Sequence, residues 1–152
     1  MLHTITTLDD PLLALIKDDP VRPDIPLEFR VSSDAEVFVL LADDDYALPQ
    51  AVVCVAYKSS VPKDVVELAA VSLDGELTVA VFYTIWSYAP GAGRKLITAA
   101  QRSIRAQRKT VKTYVTLSPP TDMARVFHLR NGALVLNVNA DTVNYIYSTS
   151  DE

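Results

Sequence analysis

Runs of apolar residues, separated by polar and proline-rich or glycine-rich turns, divide the chain into segments of two different periods. Residues 36–42, 51–57, 112–117, 133–138 and 142–147 are short stretches dominated by Val, Leu, Ile, Ala and Tyr, and each predicts a strand. A longer strand is predicted over residues 77–86, where the run from Thr78 to Trp86 is nearly unbroken and implies burial on both faces. Helical spacing governs three other places. Residues 8–17 carry Leu12, Leu13, Leu15 and Ile16 behind Asp9 or Asp10 as N-cap, with Pro11 in the first turn. Residues 94–109 place Leu96, Ile97, Ala100, Ile104 and Ala106 or Gln107 on one stripe and keep Lys95, Arg102, Arg105, Arg108 and Lys109 off it. Thr121 caps a helix over 122–131 that Asn131 and Gly132 stop.

The segment 63–73 fits neither period, and the β-branched Val65, Val66 and Val71 predict a strand, joined to 77–86 as a hairpin through Asp74 and Gly75. Asp19 and Pro20 stop the first helix, and Pro20, Pro23 and Pro26 make 20–26 an extended or turn-rich connection, or a loop carrying one helical turn. Strands 36–42 and 51–57 pair antiparallel, and 112–117 lies parallel to 77–86 through a right-handed helical crossover. The expected fold class is α+β, with α/β character around that crossover.

Length and composition fit one domain over 1–152: half of the residues are apolar and fewer than a quarter are charged. The longest apolar run is too short to span a bilayer and no basic-then-apolar leader opens the sequence. Cys54, the one cysteine, lies inside the 51–57 strand and reads as a buried thiol, so a reducing cytoplasm, viral or host included, is the expected location. The acidic triplet Asp43 to Asp45 lacks spaced oxygen ligands and a distal glutamate, and no metal site is read from it. The net charge of −5 is unevenly spread. Residues 1–45 are strongly acidic, whereas in 94–130 nine Lys and Arg residues face Asp122 alone, which sets up a field attractive to anions around the helix 94–109. Nucleic acid is the weaker candidate for that field, because no aromatic residue interrupts the basic helix face.

Between the long strand and that helix lies Ser87-Tyr88-Ala89-Pro90-Gly91-Ala92-Gly93. A strand, a glycine turn and a helix start gather free backbone N–H groups and the positive end of a helix dipole at one point, which suits a phosphate. A nucleotide-triphosphatase loop would need Lys-Ser/Thr after the glycines, but Arg94 and Lys95 follow; a dinucleotide fingerprint would need a small residue where Leu96 stands. Tyr88-Ala-Pro-Gly91-Ala-Gly93 resembles instead the pyrophosphate loop of the GNAT N-acetyltransferases, Arg/Gln-x-x-Gly-x-Gly/Ala, with tyrosine at the Arg/Gln position. A second match lies in the last helix, where Ala124, Phe127, Arg130 and Gly132 fall on the family's Asn-x-x-Ala-x-x-Leu/Phe-Tyr-x-Lys-x-Gly-Phe pattern, while Thr121, His128 and Ala133 depart from it. The resemblance covers residues 36–147.

The resemblance implies a central mixed, mostly antiparallel, twisted sheet with helices on both faces, and an acyl-CoA-dependent N-acyltransferase moving acetyl from acetyl-CoA to a small-molecule or peptide amine. It implies CoA contacts from Trp86, Ser87, Tyr88, Ala89, Gly91, Ala92, Gly93, Arg94 and Lys95, and a pantetheine arm entering between strands 78–86 and 112–117. His128 stands at the position of the tyrosine acid; an imidazole of ordinary pKa is about one-fifth protonated near neutrality and could protonate the leaving thiolate. The strand 77–88 presents no Glu or Asp as general base, which leaves Glu67, Glu76 or a water chain, with Tyr83 and Tyr88 as hydroxyl partners. The alternative is a domain of this fold that has lost catalysis and serves as an interaction or viral accessory protein.

Overall fold

The computed structural model describes residues 1–72 and 75–148. Seven strands form one sheet: β1 (Leu2–Ile5), β2 (Ala35–Leu41), β3 (Pro49–Lys58), β4 (Val79–Ser87), β5 (Thr113–Thr116), β6 (Leu134–Val138) and β7 (Val143–Tyr147). Their order is β1-β2-β3-β4-β5-β7-β6; β4 and β5 are parallel and every other pair is antiparallel. The fold is the expected α+β mixture with a mixed sheet.

Both faces are covered. Against one lie a 3-10 helix (Pro11–Asp18) and the short helices α1 (Leu27–Arg30) and α2 (Val65–Ala69), packed over Val37, Val39, Cys54, Val81, Tyr83 and Trp86. Against the other lie α3 (Ala92–Gln107) and α4 (Asp122–Arg130), over Phe38, Val53, Val55, Phe82, Tyr114 and Tyr145. Leu96, Ile97, Ala100 and Ile104 of α3 are buried as the stripe requires, whereas Ala106 and Gln107 face solvent.

Three local expectations are corrected. Residues 65–69 are helix, not strand: Asp64 accepts a hydrogen bond from Glu67 N at 2.8 Å and Glu67 Oε1 accepts from Lys63 N at 2.9 Å, so cap chemistry overrides the β-branched valines. The hairpin turn predicted there falls partly on Leu73 and Asp74, outside the described residues. The first helix is a 3-10 helix capped by Asp10, whose buried Leu13 and Ile16 stand three residues apart, the repeat of that tighter spiral. Leu2–Ile5, which shows no readable period, is a strand on β2 in which Ile5 is fully buried and His3 Nε2 lies 2.6 Å from Asp10 Oδ2.

Candidate active site

The sheet opens where β5 leaves β4. The two strands pair only from Val79↔Thr113 to Phe82↔Thr116, with one more bond from Leu117 N to Phe82 O at 3.2 Å. Beyond that point Ser118 exchanges two 2.9 Å backbone bonds with Val143, and Pro119 and Pro120 end the strand. β4 runs on to Ser87 still paired with β3 on one side, but with no strand on the side that β5 has left. A bulge sits at the same place: Val55 opposes Phe82 but Cys54 opposes Thr84, so Tyr83 is the extra residue, and such bulges sharpen strand twist and splay.

The parting leaves a cleft of about 560 Å³, walled by Phe82 to Ser87, by Leu117 to Pro119, by Pro20 and Val21, and by Gly93, Thr121, Met123, Ala124, Phe127 and His128. Among the described residues no Asp, Glu, Lys or Arg lines it. Pro20 and Val21 are held there by a buried ion pair. Arg30 Nη1 donates to Asp19 Oδ2 at 2.7 Å, both side chains being wholly inaccessible, and Arg30 also donates to the Arg22 and Ile25 carbonyls. Asp19 Oδ1 accepts from the N–H groups of Val21 and Arg22 and from Thr84 Oγ1, beside the bulge. Burial pushes the Asp19 carboxyl up, but these N–H donors, Arg30 and Thr84 outweigh it and hold its pKa below the usual value. The network escaped the sequence reading, in which Asp19 and Pro20 appeared only as a helix stop.

At the opposite wall the glycine turn meets the expectation in its backbone. Gly91 has φ +75° and caps α3, a conformation that only glycine adopts without strain, although a Cβ there would meet nothing within 4 Å. Gly93 makes a close approach to α4: a Cβ there would stand 3.0 Å from the Phe127 ring, which would have to shift by a few tenths of an ångström. Among the described residues the N–H groups of Gly91, Gly93 and Arg94 find no acceptor within the chain. Trp86 and Ser87 line the cleft, while Ala89 and Ala92 belong to the core under α3. Tyr88 is engaged elsewhere: its hydroxyl accepts from Trp86 Nε1 at 2.9 Å and donates to Asp18 Oδ2 at 2.7 Å, tying the end of β4 to the 3-10 helix. Arg94 lines a shallow depression with Thr98, Gln101 and Arg102, and Lys95 is exposed near enough to Asp43 to help lower that carboxyl's pKa, after the larger effect of the chain's amino terminus.

Of the proposed catalytic side chains, His128 and Tyr83 line the same cleft and Glu67 lies outside it. His128 lies in the cleft wall but is only 4 % exposed, with Nδ1 at 2.7 Å from the Tyr147 hydroxyl and its ring stacked on Tyr145. Burial pushes its pKa down to about 4, which replaces the expected one-fifth of imidazolium at neutrality with about one molecule in a thousand. Tyr83 reaches the cleft from the bulge with its buried hydroxyl unpaired to any nitrogen or oxygen among the described residues, and burial raises its pKa. Glu67 is exposed on α2, outside the cleft lining, with its carboxylate in the helix cap; Glu76 is likewise exposed and outside it. Neither can remove a proton within the cleft. Ser118, whose hydroxyl donates to Thr116 Oγ1 at 2.8 Å, lines the cleft and was not anticipated.

A mixed sheet whose two parallel strands part over a bulge, with a glycine turn and a helix start at the opening, is the acyl-CoA N-acyltransferase fold of the GNAT acetyltransferases. A probable acetyltransferase from Staphylococcus epidermidis matches it at TM-score 0.65 and 16 % identity, with 99 % of each chain covered. Malonyl-CoA decarboxylases share the fold: that from Rhodopseudomonas palustris matches at TM-score 0.76 and 19 % identity, over 99 % of this chain and 60 % of its own, and that from Agrobacterium vitis at 0.67 and 26 %, over 84 % and 35 %. The chain thus spans between about a third and three-fifths of those decarboxylases. No protein-family model and no curated protein sequence matches it.

Proposed function

We propose that the chain binds an acyl-CoA in this cleft and transfers the acyl group, acetyl in the simplest case, to an amine. The observation that carries the reading is the uncharged cleft between β4 and β5 with unpaired N–H groups of the glycine turn at its mouth. The N–H groups of Gly91, Gly93 and Arg94, at the positive end of a sixteen-residue helix, suit a pyrophosphate, and the free edge of β4 past Phe82 suits the amides of a pantetheine arm. The thioester supplies an activated carbonyl. The chain supplies position: Trp86 and Phe127 confine the acyl end, and Pro20 and Val21 close the acceptor side. Because no carboxylate lines the cleft, the amine has to arrive neutral, and the hydroxyls of Tyr83 and Ser118 and the neutral imidazole of His128 are the groups at hand to pass its proton onward.

The test is thermal shift with acetyl-CoA followed by thiol release with a panel of amines. A concentration-dependent rise is expected from mass action, and no rise with CoA or acetyl-CoA would sink the reading. Binding without thiol release from any amine would instead favour the non-catalytic alternative.

A second reading is loss of CO₂ from a malonyl thioester. The similarity to malonyl-CoA decarboxylases favours it, as does the lining, since breaking a C–CO₂⁻ bond disperses charge, needs no base and is favoured in an uncharged cleft, and the enolate left behind takes one proton from water to give the acetyl thioester. Incubation with malonyl-CoA, read by mass for acetyl-CoA, separates the two.

A further inference from the structure

On the α4 side the cleft opens beside an exposed apolar surface. Met123 lines the mouth and is nevertheless 85 % exposed, and Val126 and Leu129 continue the apolar ridge along the outer face of α4. Arg125 and Arg130 flank the ridge, Arg125 with its Nε 3.7 Å from the exposed Asp122. On α3, Arg94 and Arg102 line the neighbouring depression that reaches Asn131 and Gly132 at the end of α4, and Lys95 is exposed beside them. This cationic, apolar face stands on a chain whose net charge is −5, and exposed apolar ridges edged by one sign of charge mark protein-binding surfaces.

We propose that this face docks an acidic carrier protein that presents its acyl group on a phosphopantetheine arm. The inference rests on the reading of the cleft as a pantetheine-thioester site. A carrier-borne arm shares with CoA the pantetheine, the thioester and the phosphate at its root, so the same cleft and glycine turn accept it. What differs is the body behind the arm. CoA ends in a small nucleotide, whereas a carrier brings a whole acidic helical surface to whatever surrounds the mouth. Charge complementarity with Arg130 and the α3 cations would steer the encounter, and the ridge would hold a transient contact at the small end of protein interfaces, below about 1,200 Å² in total.

The experiment compares the holo and apo forms of an acyl carrier protein, and acetyl-CoA alone, on the whole chain. Holo-carrier should bind about tenfold more tightly than apo-carrier and weaken as salt rises. Val126→Asp and Arg130→Glu should each weaken holo-carrier binding about tenfold, while the thermal shift given by acetyl-CoA stays within about twofold of the parent. That shift also shows that both variants fold. Binding of holo-carrier by both variants as tightly as by the parent overturns the proposal. Acetyl-CoA binding without holo-carrier binding overturns the docking alone; loss of both overturns the cleft reading and the docking with it. Sedimentation showing a dimer that Val126→Asp dissolves assigns the face to a second copy and overturns the proposal as well.

Discussion

Replacing His128 by Phe should change how stability depends on pH. In the folded chain the ring is buried against Tyr145 and Tyr147 and its pKa falls to about 4, whereas in the unfolded chain it has the ordinary value near 6.5. Between those values the unfolded state holds more protons, so stability rises with pH and is lost as pH falls from 6.5 toward 4. At about 1.36 kcal/mol per pKa unit the loss amounts to roughly 2 kcal/mol at pH 5 and about 3 kcal/mol at pH 4. The carboxyls of Asp10, Asp19 and Asp43, which are lowered in the fold, lose their contribution only below the unfolded carboxylate range, so the window from pH 7 to pH 5 isolates histidine. His3, beside Asp10, is controlled with His3→Asn. Phenylalanine keeps the aromatic packing but strands the Tyr147 hydroxyl, at a cost of about 1–3 kcal/mol that does not vary over this window. Urea midpoints at pH 7, 6 and 5 should therefore fall for the parent and stay nearly level for His128→Phe. Parallel curves for the two proteins would mean that the imidazole is not held neutral by burial, and would reopen its role as a cationic acid.

The other predictions concern the cleft and its walls. Gly91→Val should abolish the acetyl-CoA thermal shift while costing about 1–2 kcal/mol, since φ +75° is unfavourable for a side chain but the space is open; that is a fall in Tm of roughly 2–8 °C for a domain of this size. Arg30→Met should cost about 3–5 kcal/mol by leaving Asp19 buried and unpaired, and Asp19→Leu/Arg30→Met should recover much of it, as chemical denaturation would show. If no group in the cleft removes the amine's proton, kcat/KM should rise about tenfold per pH unit until the amine's own pKa, and a plateau near pH 6–7 would reveal a base in the protein. His128→Ala, if the neutral imidazole passes the amine's proton onward, should lower kcat by about 10²-fold with CoA affinity little changed; activity within about twofold of the parent excludes that role.

The long elements were legible because their periods repeat: β4, α3 and α4 announce themselves through an unbroken apolar run, a stripe and a cap. Punctuation located the glycine turn, and Gly91 and Gly93 have the two separate uses, backbone conformation and close approach, that glycine serves. Leu2-His-Thr-Ile5 shows neither an alternation nor an apolar run, so β1 stayed hidden. The helix at 65–69 turned on one cap, Asp64, weighed against three valines that favour extension. The bulge at Tyr83 and the parting of β4 from β5 are properties of register, which no single strand carries. For the same reason Glu67 looked available as a base and Asp19 looked like a helix stop: a carboxylate's function depends on which backbone N–H groups the fold brings to it.

The buried pair of Asp19 and Arg30 separates the cleft wall from the loop that carries it. The bonds that seat Pro20 and Val21 run among Asp19, Arg22, Ile25 and Arg30 and from there to Thr84 and Leu117 in the sheet, whereas Pro23 and Asp24, at the outer bend, stand exposed and contribute none of those bonds. Residues inserted or exchanged at that bend would lengthen an arm outside the cleft while its root stayed clamped in the core. It is a graft point at which a new acceptor-recognition segment could be added without touching the wall itself.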